Sequence, residues 1–142
     1  MSTIDNKLLI RKYIDEVVNT GNVDEIETYV SSDYTEVFEG KRYPIGIKGA
    51  REHILGVRQT YPDLKLTVEQ QIAEGDWVAT IIMARGSHRG VWMGMKPTDK
   101  VLTYSGVNID KVVDGRIVEH GGAANMLTPL LEAGAIRVIG PD

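Results

Sequence analysis

Four polar side chains interrupt the apolar stretch from Val101 to Asn125: Asn108, Asp110, Glu119 and His120. His120 is the first candidate for chemistry, because an unperturbed imidazole titrates near neutrality and can take or give a proton. Asn108 could hold that imidazole or bind a carbonyl oxygen. Glu36, set among Tyr34, Val37 and Phe38, is a second candidate for acid/base work. Each also has a plainer reading. His120 could be a structural histidine bonded within a sheet, and Glu36 an exposed carboxylate on a strand edge. His88 reads as a sheet histidine near the subunit surface, and His53, among Arg51, Glu52 and Arg58, as a solvated one. The three histidines have no H-x-x-x-H or similar ligand spacing, so no metal site is expected. No G-x-G-x-x-G or Walker pattern occurs, so no nucleotide site is expected either.

The element that must position Asn108 and His120 is a hairpin turning at Asp114-Gly115, a strong short-range turn signal. Val112, Val113, Ile117 and Val118 surround the turn, so the hairpin reads as the wall of a cavity. Two registers are open. A two-residue turn pairs Val113 with Arg116 and sets Asn108 and His120 on opposite faces, since side chains alternate along a strand. A three-residue turn, with Gly115 left-handed, pairs Val112 with Arg116 and sets Asn108 opposite His120 on one face.

The rest of the chain supplies helices first and strands later. Leu8, Leu9, Tyr13, Ile14, Val17 and Val18 recur at helical spacing, with a cap at Ser2 or Thr3 and a stop at Gly21. Asn22 and Glu25 form a capping-box pattern for a short second helix, and Ser31-Ser32-Asp33 reads as a loop. A short strand covers Tyr34 to Phe38, a loop Gly40 to Gly49, and a third helix runs from about Ala50 to Thr60. Strands follow over Leu64–Ala73, Trp77–Ser87 and His88–Met95, then the hairpin, then a last short helix over Met126–Ala133. This order is an α+β pattern. Long strands containing glycines predict a curved, antiparallel sheet, which three or four helices would close around a pocket. Trp92, Met93, Met95 and Tyr104 are candidates for lining that pocket, or equally for core and oligomer contacts.

The chain has 142 residues, enough for one domain with a real core, and a formal net charge of −4. The acidic balance argues against a nucleic-acid surface. With no cysteine, neither a disulfide nor a thiolate metal site is possible, which fits a reducing cytoplasm. Charged residues through the first twenty positions rule out a signal peptide there, and no apolar run approaches a membrane span.

The segment Gly86 to His120 resembles the SnoaL-like polyketide cyclase family. The resemblance rests on Gly94-Met95-Lys96-Pro97-Thr98-Asp99-Lys100 and on Asp114-Gly115-Arg116-Ile117-Val118-Glu119-His120. Asn19-Thr20-Gly21-Asn22 and Pro62-Asp63 fall where the family has matching element ends. The resemblance implies a single domain over residues 1–142, an α+β cone-shaped roll of the nuclear-transport-factor-2-like type with a curved mixed or antiparallel sheet, and a homo-oligomer. It also implies ring closure by intramolecular aldol condensation without a metal or organic cofactor. The family's histidine on the strand before the D-G turn is Asn108 here, and its acid/base aspartate, two residues after the final histidine, is Gly122. Because the family's two groups meet in one pocket, the resemblance favours the three-residue turn. Tyr13 and Gly122 join Tyr104, Trp92 and Met93 as expected pocket residues, with His120, Asn108 and Glu36 as the catalytic set.

Three functions follow as expectations. One is an acid/base enzyme of cyclase or isomerase type acting on a small, largely apolar carbonyl compound. The second is a non-catalytic binder of such a compound, and the third an interaction module. No nucleic acid or membrane partner is expected. The expected assembly is a homodimer through an outer sheet face that carries Val107, Ile109 and Ile117. Gly122→Asp would be expected to create a weak cyclase-like acid.

Overall fold

The computed structural model describes residues 2–141. Its first helix, α1 (Thr3–Tyr13), starts on a capping box: the Ser2 hydroxyl accepts from the Asp5 amide at 3.1 Å, and the Asp5 carboxylate accepts from the Ser2 amide at 3.2 Å. The helix widens into one π-turn (Ile14–Val18) and stops at Gly21, whose φ of +74° suits glycine. Ile10, Ile14 and Val17 bury its apolar stripe.

The expected second helix is only a 3₁₀ turn (Ile26–Thr28), because Asn22 accepts from the Asp24 amide in a local turn and does not cap a helix. Ser31-Ser32-Asp33 is not a loop but the start of β1 (Val30–Phe38). The expected loop after it contains β2 (Lys41–Pro44), and α2 begins early, spanning Gly46–Thr60. Then come β3 (Lys65–Glu74), β4 (Trp77–Ser87), β5 (Val101–Val113), β6 (Arg116–Ala124) and α3 (Leu127–Glu132).

The six strands form one sheet in the order β2-β1-β6-β5-β4-β3. All neighbours are antiparallel except β1 and β6, which are parallel. This is the curved sheet with helices on its concave face that the cone implied; the wholly antiparallel sheet expected from the strand pattern is corrected, because β1 and β6 run parallel. Alternation on β4 shows the two faces: Val78, Thr80, Ile82 and Ala84 are buried on the concave side, while Trp77 and Met83 are exposed on the convex side.

His88 to Met95 is not a strand. It opens an irregular loop with one isolated bridge, Trp92 to Met95, and left-handed residues at Met93, Gly94 and Asp99. His88, fully buried, anchors this loop through Nδ1 to the Thr98 hydroxyl at 3.0 Å, and Trp92 packs on the rings of Tyr61 and His88. His88 is therefore an interior anchor, not a surface residue.

The hairpin combines the turn of one expectation with the shared face of the other. Val113 pairs with Arg116, so the turn has two residues, with φ of +50° at Asp114 and +73° at Gly115. Both central residues being left-handed makes it a type I′ turn, whose twist matches the strands. The three-residue turn is thus corrected. A bulge then shifts the register: Val112 faces Ile117, but Lys111 faces Glu119, leaving Val118 as the extra residue. Beyond it Asp110 faces His120 and Asn108 faces Gly122. Asn108, Asp110 and His120 therefore share the concave face, by a bulge and not by the turn. The same bulge puts Ile117 inside, 1% exposed, and removes it from the outer face where it was expected.

Candidate active site

The sheet, α1 and α2 enclose a cavity of about 700 Å³. Its walls are mostly apolar, with Ile10, Ile54, Leu66 and Ile82 among them. Into it come Asn108, Asp110 and Tyr104 from β5, His120 and Gly122 from β6, Glu36 and Tyr34 from β1, Tyr13 from α1 and His53 from α2. Of the expected pocket residues, Tyr104, Tyr13 and Gly122 lie in the wall. Trp92 and Met93 do not: both belong to the loop after β4, where Trp92 covers His88 and Met93 is 75% exposed.

Asp110 is buried and its Oδ1 lies 2.6 Å from His120 Nδ1. A buried carboxylate needs such a partner, since an unpaired charge in the interior is strongly disfavoured. With Nδ1 held, the nitrogen His120 offers to a ligand is Nε2. Its side chain keeps 32% exposure, enough for a cavity molecule to reach it. Burial works to lower the pKa of His120, but the charge and hydrogen bond of Asp110 and the charge of Glu36 outweigh it and raise the net value.

Glu36 is next to His120 across the parallel β1–β6 pair, with their Cα atoms in register. His53 Nδ1 lies 2.9 and 2.7 Å from its two oxygens, so Nδ1 carries a proton and donates to both. Burial pushes the Glu36 pKa up, but the His53 hydrogen bond, the two histidines and the Tyr34 hydroxyl bring it below the ordinary value, so the carboxylate is ionised. Burial, and then the nearby carboxylates, push the Tyr13 and Tyr34 hydroxyls well above their ordinary range, so both remain O–H donors. Two carboxylate–histidine pairs, Asp110–His120 and Glu36–His53, thus occupy one cavity.

Arg58 is the single arginine in the wall, and no lysine lines it among the described residues. The Arg58 guanidinium is committed to the backbone carbonyls of Val18, Leu64 and Pro62 at 2.7 to 3.1 Å. Among the described residues, no arginine or lysine in the wall is therefore free for a ligand. Among the described residues no three His, Asp or Glu side chains are grouped to hold a metal ion.

At Gly122 φ is +131°, and a Cβ there would lie 1.9 Å from the Val107 carbonyl oxygen. The expectation that Gly122→Asp would create an acid is corrected: the backbone here has no room for any side chain. Asp110 and His53 are the groups that reading the sequence missed. Asp110 was visible as a polar residue two positions from Asn108 in an apolar strand, a spacing that puts both on one face. His53 carried no such signal, because the residues around it are charged and its partner Glu36 is in another element.

These features sit in a recognisable frame. The model of the SnoaL-like polyketide cyclase family matches residues 8–132, and the chain belongs to that family. It is 31% identical over 104 residues to the nogalonic acid methyl ester cyclase of Streptomyces nogalater, covering 72% of this chain and 78% of that protein. It is 28% identical over 110 residues to the aklanonic acid methyl ester cyclase AcmA of Streptomyces galilaeus, covering 74% of each. Among solved structures, AclR from Streptomyces galilaeus, a proposed hydroxylase, superposes with a TM-score of 0.85 at 27% identity over 98% of this chain and 91% of that one.

Proposed function

We propose that the chain is an intramolecular aldol cyclase acting on a neutral, largely apolar carbonyl compound of the polyketide ester kind. The observation that carries this is the Asp110–His120 pair in the wall of an apolar cavity. An aldol closure removes a proton from an acidified C–H, joins the carbanion to a second carbonyl carbon and protonates the resulting alkoxide. The charge and hydrogen bond of Asp110 favour the protonated imidazole, and in that form Nε2–H is its acidic site. It hydrogen-bonds the carbonyl that will be attacked and gives its proton to the alkoxide. Charge develops on that oxygen as the bond forms, so a donor already in place favours the transition state over the ground state. The Asn108 amide orients the same carbonyl. Glu36 and the group it binds form the basic side of the cavity. Two carboxylates in the wall, with no free arginine or lysine beside them among the described residues, favour an ester over a free acid.

The direct experiment is incubation with nogalonic acid methyl ester. A product of unchanged mass with a new ring supports the reading. A product one oxygen heavier would favour a hydroxylase like that proposed for AclR, and binding without turnover would favour a plain binder.

The pH profile follows from His120. The imidazolium is the active form, and its folded pKa is raised above the ordinary 6.5. The acid therefore persists above that value and is lost as pH rises through the raised pKa. Loss of this acid should lower kcat/KM on the alkaline side of 6.5, with Asp110 and Glu36 acting on the ring and His53, Tyr13 and Tyr34 in the same cavity. A rate that keeps climbing from about pH 7 to 9 would show that His120 is not the acid.

We also infer a homodimer through the convex face. Val107 and Ile109, each 37% exposed, adjoin Ile72, Trp77 and Met83 there. Registers place Ile109 opposite Ala79, Ala79 opposite Ile72, and Val107 opposite Ile81, so the strip is continuous. An exposed apolar strip of this kind commonly meets a second copy. Light scattering at micromolar concentration should give a dimer for the wild-type chain and a monomer for Ile109→Lys. A wild-type monomer would contradict the inference.

A further inference from the structure

We propose that His53 is the base of this site: its Nε2 removes the C–H proton, while Glu36 holds the ring. The inference rests on the cyclase reading and adds a residue to it. His53 projects from α2 into the same cavity as His120, and its Nδ1 is fixed by both Glu36 oxygens. A histidine anchored at one nitrogen by a carboxylate presents the other as an oriented proton acceptor. Glu36 is itself a poorer acceptor, because both oxygens already receive the His53 hydrogen bond and the Tyr34 hydroxyl adds another.

The placement suits one substrate reaching both groups. Adjacent strands are about 4.8 Å apart, and Glu36 and His120 are neighbours across the β1–β6 pair. Glu36 is therefore bonded to His53 and neighbours His120 across the strand pair. His53 is 52% exposed, at the solvent side of the cavity, where a proton taken from carbon can pass to water. His120, with 32% exposure, is deeper.

The step balances. The C–H proton moves to His53 Nε2, and the C–H electron pair becomes the new carbon–carbon bond. The π pair of the attacked carbonyl becomes the alkoxide lone pair, which takes the His120 Nε2 proton. His53 then carries one proton more and His120 one fewer, and exchange with water restores both. No oxidant, reductant or co-reactant is consumed.

The two half-reactions separate in an exchange assay in deuterium oxide with nogalonic acid methyl ester as the probe. Wild-type protein should both label the acidic C–H position faster than buffer and cyclise. His53→Gln should lose labelling and cyclisation together, each by about 10²-fold. His120→Gln should lose cyclisation and keep labelling within about threefold, because proton removal remains. The exposed position of His53 should leave thermal melting unchanged in His53→Gln. Labelling at the wild-type rate in His53→Gln overturns the proposal. So does loss of labelling in Glu36→Gln with His53→Gln unaffected, since the carboxylate would then be the base. Wild-type protein that neither labels nor cyclises the ester rejects the cyclase reading itself, before any variant is made.

Discussion

His120→Gln should lower cyclisation by about 10²- to 10⁴-fold, the usual loss when a positioned acid is removed, with the fold retained. Glutamine is the informative replacement. Asp110 is 3% exposed and its carboxylate relies on the imidazole 2.6 Å away. Alanine would leave that charge buried and unpaired, and the lost activity would mix with lost stability. The glutamine amide can still donate to Asp110 but has no proton to give to an alkoxide. Thermal melting close to wild type together with collapsed turnover is the expected pair of results. Asn108→Ala should cost less, because it orients the carbonyl and transfers no proton. Turnover unchanged in His120→Gln would mean that the acid comes from elsewhere in the cavity.

Gly122→Asp should unfold the hairpin rather than create a cyclase acid. The added Cβ would meet the Val107 carbonyl oxygen at 1.9 Å, and φ at +131° is a region that side chains rarely adopt. Neither conflict can relax by turning a side chain, because the obstacle is the backbone of β5, the strand that also carries Asn108 and Asp110. The expected loss is about 3 kcal/mol or more, adding backbone strain to a broken β5–β6 pair. Denaturant titration measures it directly, and a variant as stable as wild type would contradict the geometry. Position 122 is thus closed to a side chain by its backbone conformation.

The sequence made some of this readable and hid the rest for definite reasons. Periodicity placed α1, β3, β4 and the hairpin within a few residues. Asp114-Gly115 marked the turn, and the motif around it pointed to the family. The shared face of Asn108 and His120 was anticipated, but for the wrong cause. A bulge at Val118 changes the register without any glycine or proline to signal it, and it also turns Ile117 inward. The parallel pairing of β1 with β6 joins residues far apart in the chain, so neither the Glu36–His120 neighbourhood nor the Glu36–His53 bond has a local pattern. The segment from His88 to Met95 alternates as a strand does, yet its backbone is held by the buried His88 and its bond to Thr98.

The most direct test of the central claim is a crystal structure of the His120→Gln protein with nogalonic acid methyl ester bound. The account predicts the ester inside the cavity, its carbonyl oxygen within hydrogen-bond reach of the residue 120 amide and Asn108. The acidic carbon should lie about 3.5 Å or less from His53 Nε2, the spacing of a near-attack geometry. Ester bound outside the cavity, or inside it with its carbonyls turned away from residues 120 and 108, would contradict the account.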